Sequence, residues 1–265
     1  MLARSYLYVP ADNQRFLDKT AESIADVFIL DLEDSVKEER KEIAEGMLRE
    51  FLKSTSENMF YLRVEPRRMS QISDLINHSK ISRIVMPKSN TTSALEELNR
   101  VNESNKPIHA LIESPLGLEN IKEIALSKNV VSLGIGEADF YSTLSLSEKV
   151  HRDLKSFVRS KLVVTSAAYG LNPPIGPVSS NFTDKDAFRR ESEELLDWGY
   201  WGRACIHPAQ VEIANEVFTI GAEVKSKAEK IMEAMRRSDA GATTDRDGAM
   251  IDKAHLAWAT RILEM

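Results

Sequence analysis

The sequence predicts an α/β fold, a TIM-type (β/α)8 barrel, and three observations carry that prediction. Eight short runs rich in β-branched and aromatic residues recur along the chain, each followed by a polar turn and a longer amphipathic stretch. The length of 265 residues matches one barrel of roughly 250 residues. Charged residues stand directly after the apolar runs, where barrel enzymes hold their chemistry. A doubly wound open sheet shares the same local alternation, but eight strands in a single-domain length favour closure.

In chain order the runs are Ser5–Val9, Asp26–Leu32, Phe60–Val64, Arg83–Met86, Ile108–Ile112, Val130–Ile135, Pro174–Val178 and Arg203–Ile206. The seventh is the weakest, because Asn172, Pro173, Pro174, Gly176 and Pro177 have the composition of a loop. Between the runs, apolar residues recur at helical spacing over Lys37–Lys53, Ser93–Asn102, Leu118–Leu126, His151–Tyr169 and Asp184–Trp198. After the eighth run, Val211–Arg237 reads as one or two helices, Ser238–Gly248 as a polar loop, and Asp252–Leu263 as a final helix. The expected organisation is a barrel over residues 1–218 with a helical extension over 219–265, a lid or oligomer arm belonging to the same domain.

Composition narrows the function classes. The hydrophobic share of 42% and charged share of 29% are those of an ordinary globular protein. A net charge of -6 argues against a nucleic-acid partner, which needs a surplus of Lys and Arg. Cys205 is the single cysteine, so neither an intrachain disulfide nor a cysteine-based zinc cluster is possible, and a reducing cytoplasm is the expected location. No stretch approaches the roughly 20 apolar residues of a membrane span, and the start of the chain has no signal-peptide segment.

The strand-end residues are Asp31, Glu33 and Asp34 after Leu30, Arg63 after Leu62, and Lys88 after Met86-Pro87. Glu113 follows Ile112, Glu137 and Asp139 follow Gly136, and His207 follows Ile206. One such charge is equally well the first solvated residue of a loop. Together they predict an acidic cluster over the barrel mouth with Arg63 and Lys88 beside it, where like charges coexist only with a cation or an ion pair. Two carboxylates completed by water and substrate oxygens is how a protein usually holds Mg2+, and Glu113 with Asp139, on consecutive strands, form the natural pair. His207 is better read as a hydrogen-bonding residue than as a ligand.

These residues sit in motifs that resemble the citrate lyase β-subunit-like branch of the HpcH/HpaI aldolase/citrate lyase superfamily. The motifs are RSYLYVPAD, ILDLEDSV, LRV, VMPK, LIESPLGLENIKEIA, LGIGEADF, GYWGRACIHPAQVEIANEVF and GAMID, in that order along nearly the whole chain. The resemblance implies a barrel enzyme cleaving or forming carbon–carbon bonds in β-hydroxyacyl thioesters, such as citryl, malyl or citramalyl groups on coenzyme A or an acyl carrier. It implies Mg2+, or Mn2+ in its place, on Glu113 and Asp139, substrate contact and enolate stabilisation by Arg63, and Asp252 as acid/base. Asp252 then serves a neighbouring subunit, which implies a homo-oligomer, trimer or hexamer. Without the resemblance, Asp252 reads as a helix N-cap. Arg4 and Lys88 join the expected substrate-binding set, with Arg4 paired to Glu33 or Asp34 and Lys88 placed for a thioester or phosphate group.

Four departures from the motifs bear on substrate: Ala11, Glu65, a loop after Asp139 without the family's glycine-rich form, and the absence of an aspartate in Asn172–Pro177. Glu65 is expected to add negative charge beside Arg63, and Tyr141 to narrow the pocket. The alternatives to a lyase are a thioesterase on the same scaffold and a non-catalytic, carrier-binding subunit.

Overall fold

The computed structural model describes residues 2–56, 59–144, 148–237, 242–244 and 250–264. Seven of the apolar runs form parallel strands: β1 (Ser5–Pro10), β2 (Val27–Asp31), β3 (Phe60–Arg63), β4 (Ile81–Met86), β5 (Ile108–Ile112), β6 (Val130–Ile135) and β7 (Arg203–Cys205). They make one sheet in the order β6-β5-β4-β3-β2-β1-β7. Every residue of β2 and β5 is buried, as expected of parallel strands covered on both faces. The sheet curls, so alternate side chains from β1 to β5 meet in one cluster of Tyr6, Ile29, Tyr61, Val85 and Leu111, with Ile175 against them.

The Pro174–Val178 run is not a regular strand. It contributes isolated parallel bridges, Gly134↔Ile175 to β6 and Gly176↔Arg203 to β7. Pro173, Pro174 and Pro177 lack the N–H that a continuous ladder needs. The observed architecture is therefore an α/β fold with a seven-stranded, barrel-like parallel sheet.

The crossover helices follow apolar spacing. In Lys41–Ser54 the buried positions Ala44, Leu48, Phe51 and Leu52 recur at three- and four-residue intervals. The expected helix over Leu118–Leu126 is instead two short ones, Pro115–Glu119 and Ile121–Ala125, separated at Asn120, whose side chain donates to the Asn90 carbonyl at 2.8 Å. Ser114 caps the first by accepting from the Gly117 N–H at 3.1 Å, and Pro115 stands at its first turn. A Cβ at Gly117 would lie 2.7 Å from the Ser89 carbonyl, so this turn packs tightly on the loop after β4.

The chain divides into two compact units, Ala3–Val217 and Phe218–Met265 with the first two residues. In the second unit, Ala222–Arg237 and Lys253–Glu264 are helices, and Ala228, Ile231, Ile251 and Ala259 form its core. The stretch expected as loop contains strand β8 (Ala242–Thr244), antiparallel to β9 (Met250–Asp252). Thr243 and Thr244 carry the β-branched preference that a polar-loop reading overlooks. The rest of Ser238–Gly248 lies outside the described residues. Among the described residues, no helix is long and apolar enough to cross a membrane.

Candidate active site

The carboxyl ends of β2 to β6 carry a connected polar cluster. Pairing of Asp31 with Arg63 in the β2–β3 register puts the last residues of the two strands side by side. Asp31, fully buried, accepts two parallel hydrogen bonds from Arg63, Nε to Oδ1 and Nη2 to Oδ2, both 2.6 Å. Arg63 Nη1 also lies 3.0 Å from Glu33 and 3.6 Å from Asp34, and its guanidinium covers the Tyr8 ring at 4.9 Å. Burial alone would raise the Asp31 carboxyl, but Arg63 and the hydrogen bonds from Ser35 and Glu33 outweigh it and hold Asp31 below the ordinary range. Burial opposes the charge on Arg63 as well, and Asp31 raises it far above its ordinary value.

Lys88 joins the cluster from the β4 loop. Its Nζ is ion-paired to Glu33 and lies 3.3 Å from Asp34. Its backbone is left-handed, at φ 51°, and its N–H donates to Glu113 Oε2 at 2.7 Å. Lys88 is thus placed against the acidic loop by its side chain and against Glu113 by its main chain.

Glu113 is 6% exposed, and its carboxyl is pushed up to about 7, first by burial and then by the charges of Glu33 and Asp139. The Lys88 N–H and Arg63 pull the other way without prevailing. Gly136 makes room for this side chain, because a Cβ there would lie 2.7 to 2.8 Å from Glu113 Cγ and Oε1. Asp139 follows on the first turn of the helix Glu137–Ser142 and is exposed at the mouth. In the same turn Glu137 is held by Arg159 at 2.7 Å and Lys155 at 3.4 Å, both from the helix Glu148–Ala168.

Tyr8, Asp31, Arg63, Glu113, Glu137 and Asp139 line one cavity of about 330 Å³. Among the described residues, Asp31, Glu33, Asp34 and Glu113 face Arg63 and Lys88 as counter-cations in this cluster, an excess of negative charge that a divalent cation fits. Among the described residues, no group of three or more His, Cys, Asp or Glu side chains forms a complete metal cage. The donor set is the partial, all-oxygen kind in which water and substrate supply the remaining ligands.

The other expected site residues lie elsewhere. Arg4 does not pair with Glu33 or Asp34. It precedes β1 and makes a bidentate pair with Asp26 at 2.9 Å, at the amino ends of the strands and roughly 20 Å along β1 from the cavity rim. Parallel pairing forces that outcome, because residues before β1 and before β2 share one end. Glu65 does not crowd Arg63: its Oε2 lies 3.4 Å from Lys41 Nζ, a buried cation that also donates to the carbonyls of Leu32 and Glu33. Tyr141 packs edge-on against Phe140, ring centroids 5.2 Å apart, and is not among the cavity-lining residues. His207 stacks on Phe182 at 4.8 Å.

Asp252 ends β9 in the C-terminal unit. Its Oδ1 accepts the N–H groups of Ala254 and His255 at 2.9 and 3.2 Å and lies 2.8 Å from His255 Nδ1. The helix therefore starts at Lys253, with Asp252 capping it. The hydrogen bond from His255 holds the Asp252 carboxyl below its ordinary value.

Sequence reasoning passed over Tyr8, Gly136, Arg159 and His255. For His255 the signal was available, since i and i+3 residues face each other on a helix. For the others it was not, because Arg159 meets Glu137 across 22 positions and the use of Gly136 depends on the neighbouring strand.

Comparison with known proteins places the chain among described relatives. The (3S)-malyl-CoA thioesterase of Cereibacter sphaeroides is 30% identical over 269 aligned residues, covering 98% of this chain and 93% of that protein. The L-malyl-CoA/beta-methylmalyl-CoA lyase of the same species is 27% identical over 298 aligned residues, with the same coverage. The crystal structure of CitE from Mycobacterium tuberculosis in complex with magnesium, acetoacetate and coenzyme A matches with a TM-score of 0.76 at 25% identity, covering 98% of this chain and 96% of that one. The profile of the HpcH/HpaI aldolase/citrate lyase family matches residues 4–208, and the chain belongs to that family.

Proposed function

We propose that the protein is a Mg2+-dependent carbon–carbon lyase of the citrate lyase β-subunit type, interconverting a β-hydroxyacyl thioester with an oxo acid and an acyl thioester. The observation that carries this reading is the buried, charge-crowded Glu113 in one cavity with Asp139 and the Asp31-braced Arg63. The parallel bridges of Ile175 and Gly176 to both edge strands support completion of the sheet as a (β/α)8 barrel over residues 1–218, with residues 219–265 as its extension.

Glu113 and Asp139 would hold the metal, with Mn2+ as the alternative ion. Bound there, it supplies Lewis-acid polarisation of the oxo acid. Arg63 is fixed by Asp31 before substrate arrives, so its charge stands ready where an enolate oxygen develops and needs no reorganisation. In the condensation direction the Asp252 carboxylate takes a proton from the α carbon of the acyl thioester. The resulting enolate attacks the oxo carbon, and the alkoxide formed takes up the proton that Asp252 accepted, which returns Asp252 to its carboxylate form. Cleavage is the same sequence reversed. The Asp252 carboxylate, which lies 2.8 Å from His255 Nδ1, is the proton acceptor in this reading. Its service to a neighbouring copy would make the protein a homo-oligomer, trimer or hexamer, as the family resemblance implies. Lys88, spent on Glu33 and Asp34, is a positioning residue in this reading, and Arg4 is structural.

A thioesterase is the second reading, favoured by the 30% identical relative of that activity. One assay separates the two. The protein is incubated with Mg2+ and malyl-, citramalyl- and citryl-coenzyme A while oxo acid, acyl thioester and free thiol are quantified. The lyase releases oxo acid and acyl thioester, and Asp252→Asn abolishes it. Free thiol without oxo acid identifies the thioesterase and overturns the lyase.

A further inference from the structure

The cavity continues below the residues assigned above. His109 precedes Glu113 by four positions on β5 and points to the same side, which places it roughly 10–13 Å deeper in the barrel. Between the two levels the walls are apolar, formed by Ile29, Leu111, Ile175 and Ala204. The imidazole is 3% exposed.

The ring is held from below. Its Nδ1 lies 2.9 Å from Ser132 Oγ, which also accepts from Arg83 Nη1 at 3.3 Å, and Arg83 rests over the Tyr61 ring at 5.0 Å. Nε2 has no hydrogen-bond partner among the described residues. It occupies the space left by the missing side chain of Gly134, whose Cβ would lie 2.6 Å away, and Gly134 lines the cavity too. Burial, reinforced by Arg83, lowers the imidazole to about 3, so the ring is neutral. His109 lines the cavity, and covering its Nε2 with an apolar group is costly unless something bonds it.

We infer that His109 is the specificity-determining floor of the oxo-acid pocket, bonding an uncharged hydroxyl or carbonyl at the far end of a 2-oxo acid whose apolar chain spans roughly four to six bonds. The inference rests on the lyase reading for the orientation of the oxo group toward Glu113 and Asp139. A short oxo acid leaves the well and Nε2 unfilled. A long alkyl acid fills the well and buries Nε2 without a partner. Only a chain with a polar terminus satisfies both levels.

The test compares 6-hydroxy-2-oxohexanoate with its methyl isostere 2-oxoheptanoate, with glyoxylate as the short reference. Two readouts are taken on the full chain with Mg2+: kcat/KM for condensation with acetyl-coenzyme A, and Kd by calorimetry. The expected result is a preference for the hydroxy acid over its isostere of about tenfold in both readouts. His109→Leu should bring that ratio close to one, and so should Gly134→Ala, whose added Cβ displaces the ring. A ratio near one in the unaltered protein, or one that persists in His109→Leu, overturns the inference. Glyoxylate turnover with a ratio of one leaves the lyase standing and removes the floor site. A tenfold Kd ratio without any turnover does the reverse, and failure of every acid to bind overturns both.

Discussion

Two arginine–aspartate pairs brace neighbouring strands at opposite ends, Arg4–Asp26 tying the start of β2 to β1 and Arg63–Asp31 tying its end to β3. At the amino ends, Arg4 and Asp26 are 35% and 24% exposed, and their bidentate contact is shared with solvent. At the carboxyl ends, Arg63 and Asp31 are 11% and 1% exposed, and Glu33, Asp34 and Glu113 crowd around them. The bond is the same in chemistry and nearly so in length, yet one pair neutralises itself and the other sits in a surplus of carboxylates. The difference teaches that an ion pair marks a site when its surroundings remain unbalanced, whatever the quality of the pair itself.

The largest effect should come from Arg63→Met, which strands the buried Asp31. Stability should fall by about 3–5 kcal/mol, read by denaturant unfolding, and kcat/KM by about a hundredfold or more. Retained activity would break the contrast between the two ends. Gly136→Ala comes next: its Cβ displaces Glu113, so affinity for Mg2+ or Mn2+, read by calorimetry, should weaken about tenfold to a hundredfold while the fold persists. Arg159→Met should act on the same end more gently. It releases Glu137 and loosens the turn bearing Asp139, so metal affinity should drop about tenfold or less, with little change in turnover at saturating metal.

The smallest effect belongs to the amino end. Asp26→Asn should cost about 0–1 kcal/mol at neutral pH, shrink further in salt, and leave turnover unchanged. The sign of its pH dependence is set by Arg4, which outweighs the opposing effect of burial and holds the Asp26 carboxyl below its ordinary 3.8. A depressed carboxyl stabilises above its unfolded value and loses that contribution as pH falls through the folded value. Melting curves of the two proteins should therefore differ above about pH 4 and converge below it.

Much of the carboxyl end was legible in the sequence because its logic is local. A run such as VFILD ends in Asp31 at the strand terminus, and IHALI delivers Glu113 in the same way. What failed was pairing at a distance. Nothing near Arg4 distinguishes Asp26 from Glu33 as a partner; the shared strand direction decides it. Glu65 looked like a neighbour of Arg63 by position, yet the partner that takes its charge, Lys41, lies on the preceding crossover helix. The seventh run was ambiguous for a physical reason that persists in the folded chain, since its prolines permit single bridges and no ladder.

The grip on Glu113 by the main chain at Lys88 has an evolutionary consequence. An amide N–H is common to every residue except proline, so drift at position 88 leaves this donor in place whatever becomes of the side chain's pairing with Glu33 and Asp34. The filter acts through shape instead. At φ 51° glycine and asparagine sit easily, and valine or isoleucine are strained. The main-chain donor at position 88 should therefore survive changes of charge better than β-branching, even though the pairing of the Lys88 side chain with Glu33 and Asp34 is lost with the charge.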